Sequence, residues 1–237
     1  MARFLSVFDV IGPVMIGPSS SHTAGAVKLG RMVRAVLGGT PQRAEIKLHG
    51  SFARTFRGHG TDRAIVAGLL GFATDDERVR DALSIARNSG LEIEISATDL
   101  GDVHPNSTLI MAEGEGLGKV TVLGSSIGGG EAVIREINGF ELELRGHYPT
   151  LLVLHIDKPG IIAAVTGVIA KYGVNIATME VSRRKKGEEA LMVIETDQPL
   201  TPDLISMVAQ LKDVTWVREI VLERPCVTGQ VKGAAGK

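Results

Sequence analysis

A single cysteine, Cys226, occurs among the 237 residues of the chain. One thiol closes no intrachain disulfide, and it cannot complete an all-cysteine metal or iron–sulfur site without help from another chain. This usage predicts a reducing, cytoplasmic setting. Neither sign of charge dominates, because 26 Lys and Arg face 27 Asp and Glu for a net charge of -1. The basic footprint of a nucleic-acid binder is thereby excluded. Long apolar runs are missing too. The longest nearly apolar stretch, residues 64–73, falls far short of the roughly 20 residues that cross a bilayer, so no membrane partner is expected. Asp9 and Pro13 interrupt the apolar residues near the start, and no secretory signal is expected there. No G-x-G-x-x-G joins a strand to a helix, which excludes nicotinamide dinucleotide binding of that kind.

Glycine is plentiful but uneven. Of the 29 glycines, 22 lie in residues 1–146, about twice the roughly 7% share of an average protein. The change falls near Arg145-Gly146-His147-Tyr148-Pro149. It divides the chain into a glycine-rich region at 1–146, a second domain at 147–222 and a loose, aperiodic tail at 223–237. In the second domain, alternating and continuous apolar runs predict strands at 151–156, 174–183, 190–196 and 214–222. Ile161, Val165, Val168 and Ile169 mark one face of a first helix, and Leu204, Ile205, Val208 and Leu211 one face of a second that opens at Pro202. The order βαββαβ is the ferredoxin-like plan. The charged run Arg183-Arg184-Lys185-Lys186 reads as a solvated turn.

The first region predicts a mixed sheet with helices packed mainly on one face, so the fold class is α+β. Helices are expected at 23–37, 62–72 and 76–88. Strands are expected at 45–49, 91–95, 109–113, 119–123, 132–137 and 140–144. Asn138-Gly139 supplies a strong hairpin signal between the last two.

Four polar runs in this region carry possible chemistry. In G-P-S-S-S-H-T-A-G, Ser19, Ser20, Ser21, His22 and Thr23 crowd a helix start. Free N–H groups there attract a carboxylate or phosphate and hydroxyls add donors; a capped helix with spare polar residues accounts for the same run without a ligand. In F-R-G-H-G-T-D, His59 stands between two glycines that let a ligand approach. Imidazole titrates near neutrality, so His59 is a candidate proton acceptor, or else a surface-loop residue. Asp62 reads as a helix cap. In V-H-P-N-S-T-L, His104, Asn106 and Ser107 read as turn chemistry at a strand entrance. In G-S-S-I-G-G-G-E, Gly128, Gly129 and Gly130 can form an anion-binding nest, but no P-loop lysine follows. In the second domain His155 and Asp157 leave the first strand and Asn175 enters the second. All three are expected at one edge, where pairing of two such domains would make a ligand groove. The six histidines lack close metal-ligand spacing, and no metal site is expected.

Taken in order, G-P-S-S-S-H-T-A-G, F-R-G-H-G-T-D, H-P-N-S and S-I-G-G-G resemble the beta chain of bacterial iron–sulfur-dependent L-serine dehydratase (L-serine ammonia-lyase). The second domain resembles an ACT domain through H-I-D-K-P-G-I and G-V-N-I. The first also resembles the allosteric substrate-binding domain of some 3-phosphoglycerate dehydrogenases. The resemblance implies deamination of L-serine to pyruvate and ammonia. It implies a four-iron four-sulfur cluster ligated by a partner alpha subunit, not by this chain. It assigns the carboxylate to the hydroxyls of Ser19, Ser20, Ser21 and Thr23, and proton abstraction to His59, with His22 as the competing base. Asn106 and Gly128–Gly130 would complete the pocket. His155, Asp157 and Asn175 match effector-binding positions of related ACT domains, and homo-association through the ACT domain is expected. A purely regulatory amino-acid-sensing subunit, with no catalytic residue, is the alternative.

Overall fold

The computed structural model describes residues 14–222. The predicted tail, Cys226 and the residues bearing on a leader lie outside the described residues.

A five-residue π-helical turn, Ser20–Ala24, runs directly into helix α1, Gly25–Leu37. The helix stops where Gly38 turns left-handed (φ 97°) and donates its N–H to the Arg34 carbonyl. Strand β1 (Arg43–Leu48) follows, then α2 (Gly50–His59) and α3 (Thr61–Leu69). A 3-10 turn at Glu77–Asp81 leads into α4, Ala82–Asn88. Strands β2 (Glu92–Ala97), β3 (Ser107–Gly114), β4 (Gly118–Gly128), β5 (Glu131–Ile137) and β6 (Phe140–Leu144) complete the first region. Its sheet has the order β2-β1-β3-β4-β5-β6. Only the β1–β2 pair is parallel; the remaining neighbours are antiparallel. Along β1, Ala44, Ile46 and Leu48 are fully buried and alternate with more exposed residues, as a sheet covered on one face requires.

Helices α1 and α3 pack at backbone contact. A Cβ on Gly30 would stand 2.2 Å from the Ile65 carbonyl oxygen, and one on Gly68 would stand 2.2 Å from that of Val27. These two glycines hold α1 in place, and α1 carries the hydroxyl-rich turn at its start.

The second region contains β7 (Thr150–Ile156), α5 (Ile161–Lys171), β8 (Ile176–Arg183), β9 (Glu189–Thr196), α6 (Pro202–Ala209) and β10 (Val214–Ile220). This is the expected βαββαβ order, with an antiparallel sheet ordered β10-β7-β9-β8. Leu151, Val153, Met192 and Ile194 face α5 and α6. Leu152, Leu191, Val193 and Ile220 face the other way and join one continuous core with α1 and the first sheet. Each such side chain contributes about 1.5–3 kcal/mol when removed from water. The two regions are therefore packed together through α1. Arg184 stacks over Phe140, 4.9 Å from the ring centre, and donates to the Asn138 carbonyl. Arg183 donates to Asp157 at 3.0 Å. The charged run read as a solvated turn thus clasps its own neighbours as well.

Helix α2 is not among the predicted elements, and a surface loop is the alternative setting given for His59. Phe52 is its only fully buried residue, so the sequence offers little periodicity. Three glycines, at 50, 58 and 60, imitate loop chemistry. Gly60 (φ 71°) ends α2 and starts α3 in one residue, which places His59 at a helix end. The predicted helix over 76–88 is divided as well, because Asp76 caps the 3-10 turn by accepting from the Arg78 N–H.

Candidate active site

Ser19 precedes the π-helical turn in extended conformation, and its Oγ accepts from the His22 N–H at 3.2 Å. The wide turn brings Ser19 and Ser21 hydroxyls to 3.3 Å from each other. Ser21 Oγ lies 3.1 Å and Ser19 Oγ 3.4 Å from His22 Nδ1. The other ring nitrogen, Nε2, lies 3.1 Å from Ser51 Oγ at the start of α2. Both imidazole nitrogens are thus engaged by hydroxyls, which can serve as donor or acceptor. Ser20 contributes its carbonyl, accepting from the Gly25 N–H. Gly17 (φ 144°) must be glycine, since a Cβ there would meet Thr23 Cγ2 at 2.5 Å and Oγ1 at 2.6 Å.

Thr23 closes the site against α2. Its hydroxyl donates to the His59 carbonyl at 3.4 Å. The His22 and His59 rings meet edge to face, 4.8 Å between centres, and Phe52 packs against His22 at 5.3 Å. Burial and the neighbouring His59 together hold the His22 pKa below its ordinary value. His22 is therefore neutral at pH 7. Beside it opens a cleft of about 290 Å3, lined by Gly17, Thr23, His59, Arg63 and Arg80 among others. His59 Nδ1 and Thr61 Oγ1 are buried with no hydrogen-bond partner among the described residues. Orphaned polar atoms of this kind mark places where a ligand or water completes the bonding.

The H-P-N-S loop seals the far side. The Pro105 carbonyl accepts from the Ser51 N–H at 2.7 Å, and the Asn106 carbonyl accepts from the Ser126 N–H at 3.0 Å. Ser126 in turn packs against Gly25, where a Cβ would stand 2.0 Å from its Oγ. The first, third and fourth polar runs are joined in this way around the helix start. Gly128, Gly129 and Gly130 form the β4–β5 turn with φ of 97°, 61° and 80°. This run of one hand differs from the alternating right- and left-handed residues of a nest. Ser126 is the residue of that run that touches the helix start.

His49 and His104 do not enter the site. Each Nδ1 accepts a backbone N–H, from Leu100 and Asn106 respectively, at 3.1 Å. Asp99 lies 3.5 Å from His49 Nδ1, but that nitrogen already spends its lone pair on Leu100 and carries no proton to share. Among the described residues, no group of three His, Cys, Asp or Glu converges to hold a metal. Sequence reasoning missed Ser51, Arg63 and Arg80, which reach the site through tertiary packing. Thr61, next to the cap candidate Asp62, is fully buried.

The ACT-like trio is corrected by the sheet register. His155 pairs with Ala190, and Ala190 with Arg183. Asn175 precedes Ile176, which pairs with Thr196 at the other end of β9. Parallel β7 and β8 thus put His155 and Asp157 at one end and Asn175 at the other, roughly 20 Å apart. His155 is buried, with Nδ1 bonded to the Ile156 carbonyl at 2.9 Å. Asp157 accepts from Arg183 and from the Gly187 N–H. Asn175 donates to Asp197 at 2.6 Å.

Comparison with known proteins finds two family models along the chain. The serine dehydratase beta chain family model matches residues 6–117, and the ACT domain model matches residues 150–213. A probable L-serine dehydratase beta chain from Bacillus subtilis is 48% identical over 218 residues, covering 92% of this chain and 99% of that protein. The L-serine dehydratase beta chain of Peptoniphilus asaccharolyticus is 39% identical, covering 91% and 97%. A D-3-phosphoglycerate dehydrogenase from Methanocaldococcus jannaschii is 29% identical, covering 87% of this chain but 39% of that protein. No helix among the described residues is long and apolar enough to cross a membrane. With near full-length identity to two beta chains and with both family models matched in order, the chain belongs to the serine dehydratase beta-chain family and carries a C-terminal ACT domain.

Proposed function

We propose that this chain is the substrate-binding subunit of a cytoplasmic L-serine ammonia-lyase, which converts L-serine to pyruvate and ammonia together with an alpha chain. The observation that carries this reading is the edge contact of His22 and His59 at 4.8 Å beneath a hydroxyl-rich helix start. The cleft beside it is flanked by two guanidinium groups, Arg63 and Arg80. The beta-chain relatives support it.

Hydroxyls of Ser19, Ser20, Ser21 and Thr23, with Arg63 and Arg80, receive the serine carboxylate. Asn106, on the loop tied to Ser51, completes the wall. His59 is the proton acceptor for the α-hydrogen, because it lines the cleft and has a ring nitrogen without a partner among the described residues. His22 is the positioning imidazole, neutral and held at both nitrogens, so it adds no positive charge of its own beside the proton that His59 takes up. Loss of that proton and of the β-hydroxyl as water leaves an aminoacrylate. Its imine tautomer takes up water and yields pyruvate and ammonia. The described residues offer no cradle for an iron–sulfur cluster, so its ligands belong to the alpha chain in this reading. The ACT domain serves association between copies through β8, the free edge of its sheet, where Met179 and Val181 are exposed.

The test is anaerobic reconstitution with the alpha chain. Wild-type complex turns over serine, and either chain alone does not. His59→Ala lowers kcat by about 10²–10⁴ with an unchanged circular dichroism spectrum. Turnover by the alpha chain alone would make this chain merely regulatory, and near-normal turnover of H59A would remove His59 from its role.

A further inference from the structure

A second cavity, of about 230 Å3, lies between the two sheets. One wall is a cross-strand row of the ACT sheet, in which Trp216 pairs with Leu154 and Leu154 with Leu191. A register shift in β10 between Val214 and Trp216 sets the indole into this row. Val120 of β4 and Phe140 of β6 form the opposite wall. This face of the ACT sheet is turned away from α5 and α6, and the cavity is separate from the His22–His59 cleft.

The polar groups around the cavity are of one kind. Lys119 lines both this cavity and a neighbouring cleft that holds Glu45 and its cross-strand neighbour Glu113, and it makes no ion pair among the described residues. Arg184 lies over the Phe140 ring and Arg218 lies over the Trp216 ring at 5.2 Å. Arg218 Nε is buried with no partner among the described residues. The Asn138 amide oxygen is occupied by the Thr121 N–H, which leaves its NH2 as a donor. No lining residue carries a carboxylate to receive an ammonium group. Apolar walls with only donors and cations at the rim select an apolar anion.

We propose that this interdomain cavity binds a small apolar monocarboxylate lacking an ammonium group, such as a branched 2-oxo acid of roughly five or six carbons. The hydrocarbon end packs between Trp216 and Phe140, and the carboxylate meets Lys119 and the Asn138 amide.

The full chain is titrated calorimetrically with 4-methyl-2-oxopentanoate, L-leucine and pyruvate, while emission of Trp216, the only tryptophan, is followed in parallel. Expected is saturable binding of the branched oxo acid with an emission shift. L-leucine, of the same skeleton but with an ammonium, binds at least about tenfold more weakly, and so does pyruvate, which cannot fill the walls. Val120→Phe fills the cavity and abolishes binding. The exposed Lys119→Met, which leaves the core intact, weakens it about tenfold. No saturable heat up to about 10 mM, leucine binding as tightly as the oxo acid, or unchanged affinity in K119M would each overturn the proposal.

Discussion

Thr23 and His59 are 36 positions apart and share a hydrogen bond. Asp157 and Asn175 are nearer in sequence and sit at opposite ends of a sheet. The first region converges because a wide helical turn, a helix start and a loop all face one point. The ACT region diverges because β7 and β8 run parallel, so the residue leaving one strand and the residue entering the other cannot meet within one chain. Polar residues at element ends form a site only when strand direction brings those ends together. A motif by itself carries no such information.

The sharpest way to break this contrast is to truncate one residue from each cluster. In the reconstituted enzyme, His22→Ala strips the partner from Ser21 and Ser51 hydroxyls and leaves His59 without its edge contact. A loss of about a hundredfold in kcat is expected. Asn175→Ala removes a bond to exposed Asp197, and kcat stays within about twofold. Comparable losses from both would show that the two clusters act as one.

Thr61 separates fold from chemistry inside the convergent cluster. Its hydroxyl is buried without a partner among the described residues, a cost of about 1–3 kcal/mol if nothing is bound there. Thr61→Val keeps the shape and removes the orphan. Tm is expected to hold or to rise by about 2–4 °C, while kcat falls about tenfold because the hydroxyl that would meet a bound group next to His59 is gone. A lowered Tm would mean that the hydroxyl has a structural partner.

A smaller effect comes from proton linkage. The native pKa of His22 is depressed, first by burial and then by His59. The unfolded chain therefore binds the proton more readily. The contribution is complete above the ordinary imidazole value of about 6.5 and is lost as pH falls below it toward the native pKa. Urea midpoints measured from pH 7.5 to pH 5 should fall more steeply for the wild type than for His22→Gln. Parallel curves would show that His22 titrates alike in both states.

Much of the molecule was readable in advance where periodicity and turn chemistry agree. The βαββαβ order follows from apolar alternation, and the β5–β6 hairpin from Asn138 and Gly139, whose φ of 51° and 83° few other residues adopt. Packing of the ACT sheet on both faces had a signal that went unused. The run Thr-Leu-Leu-Val-Leu-His-Ile of β7 is apolar on alternate and intervening positions alike, as a strand buried on both sides must be. Helix α2 was hidden because glycines at 58 and 60 read as loop. Ser51, Arg63 and Arg80 could not be read at all, since only the packing of α2, α3 and the 3-10 turn around the start of α1 brings them to the histidines.

The smallest expected effect comes from the ACT domain. Asp157 is held below the usual carboxylate range by the Gly187 N–H first and by Arg183 second. Its contribution is present above the unfolded value and is lost only as pH falls through the native pKa, so nothing changes near neutrality. As a solvent-exposed pair it adds little. Asp157→Asn should shift Tm at pH 7 by no more than about 2 °C and leave serine turnover alone. It also gives this end of the sheet an amide donor. Calorimetry on D157N with L-serine should nevertheless detect no added site in a single chain, because Asn175 lies at the far end of the sheet. A new serine site that disappears in D157N/N175A would mean that β8 edges pair between copies and bring the two ends together, and the divergence within one chain would then be half of a site shared by two.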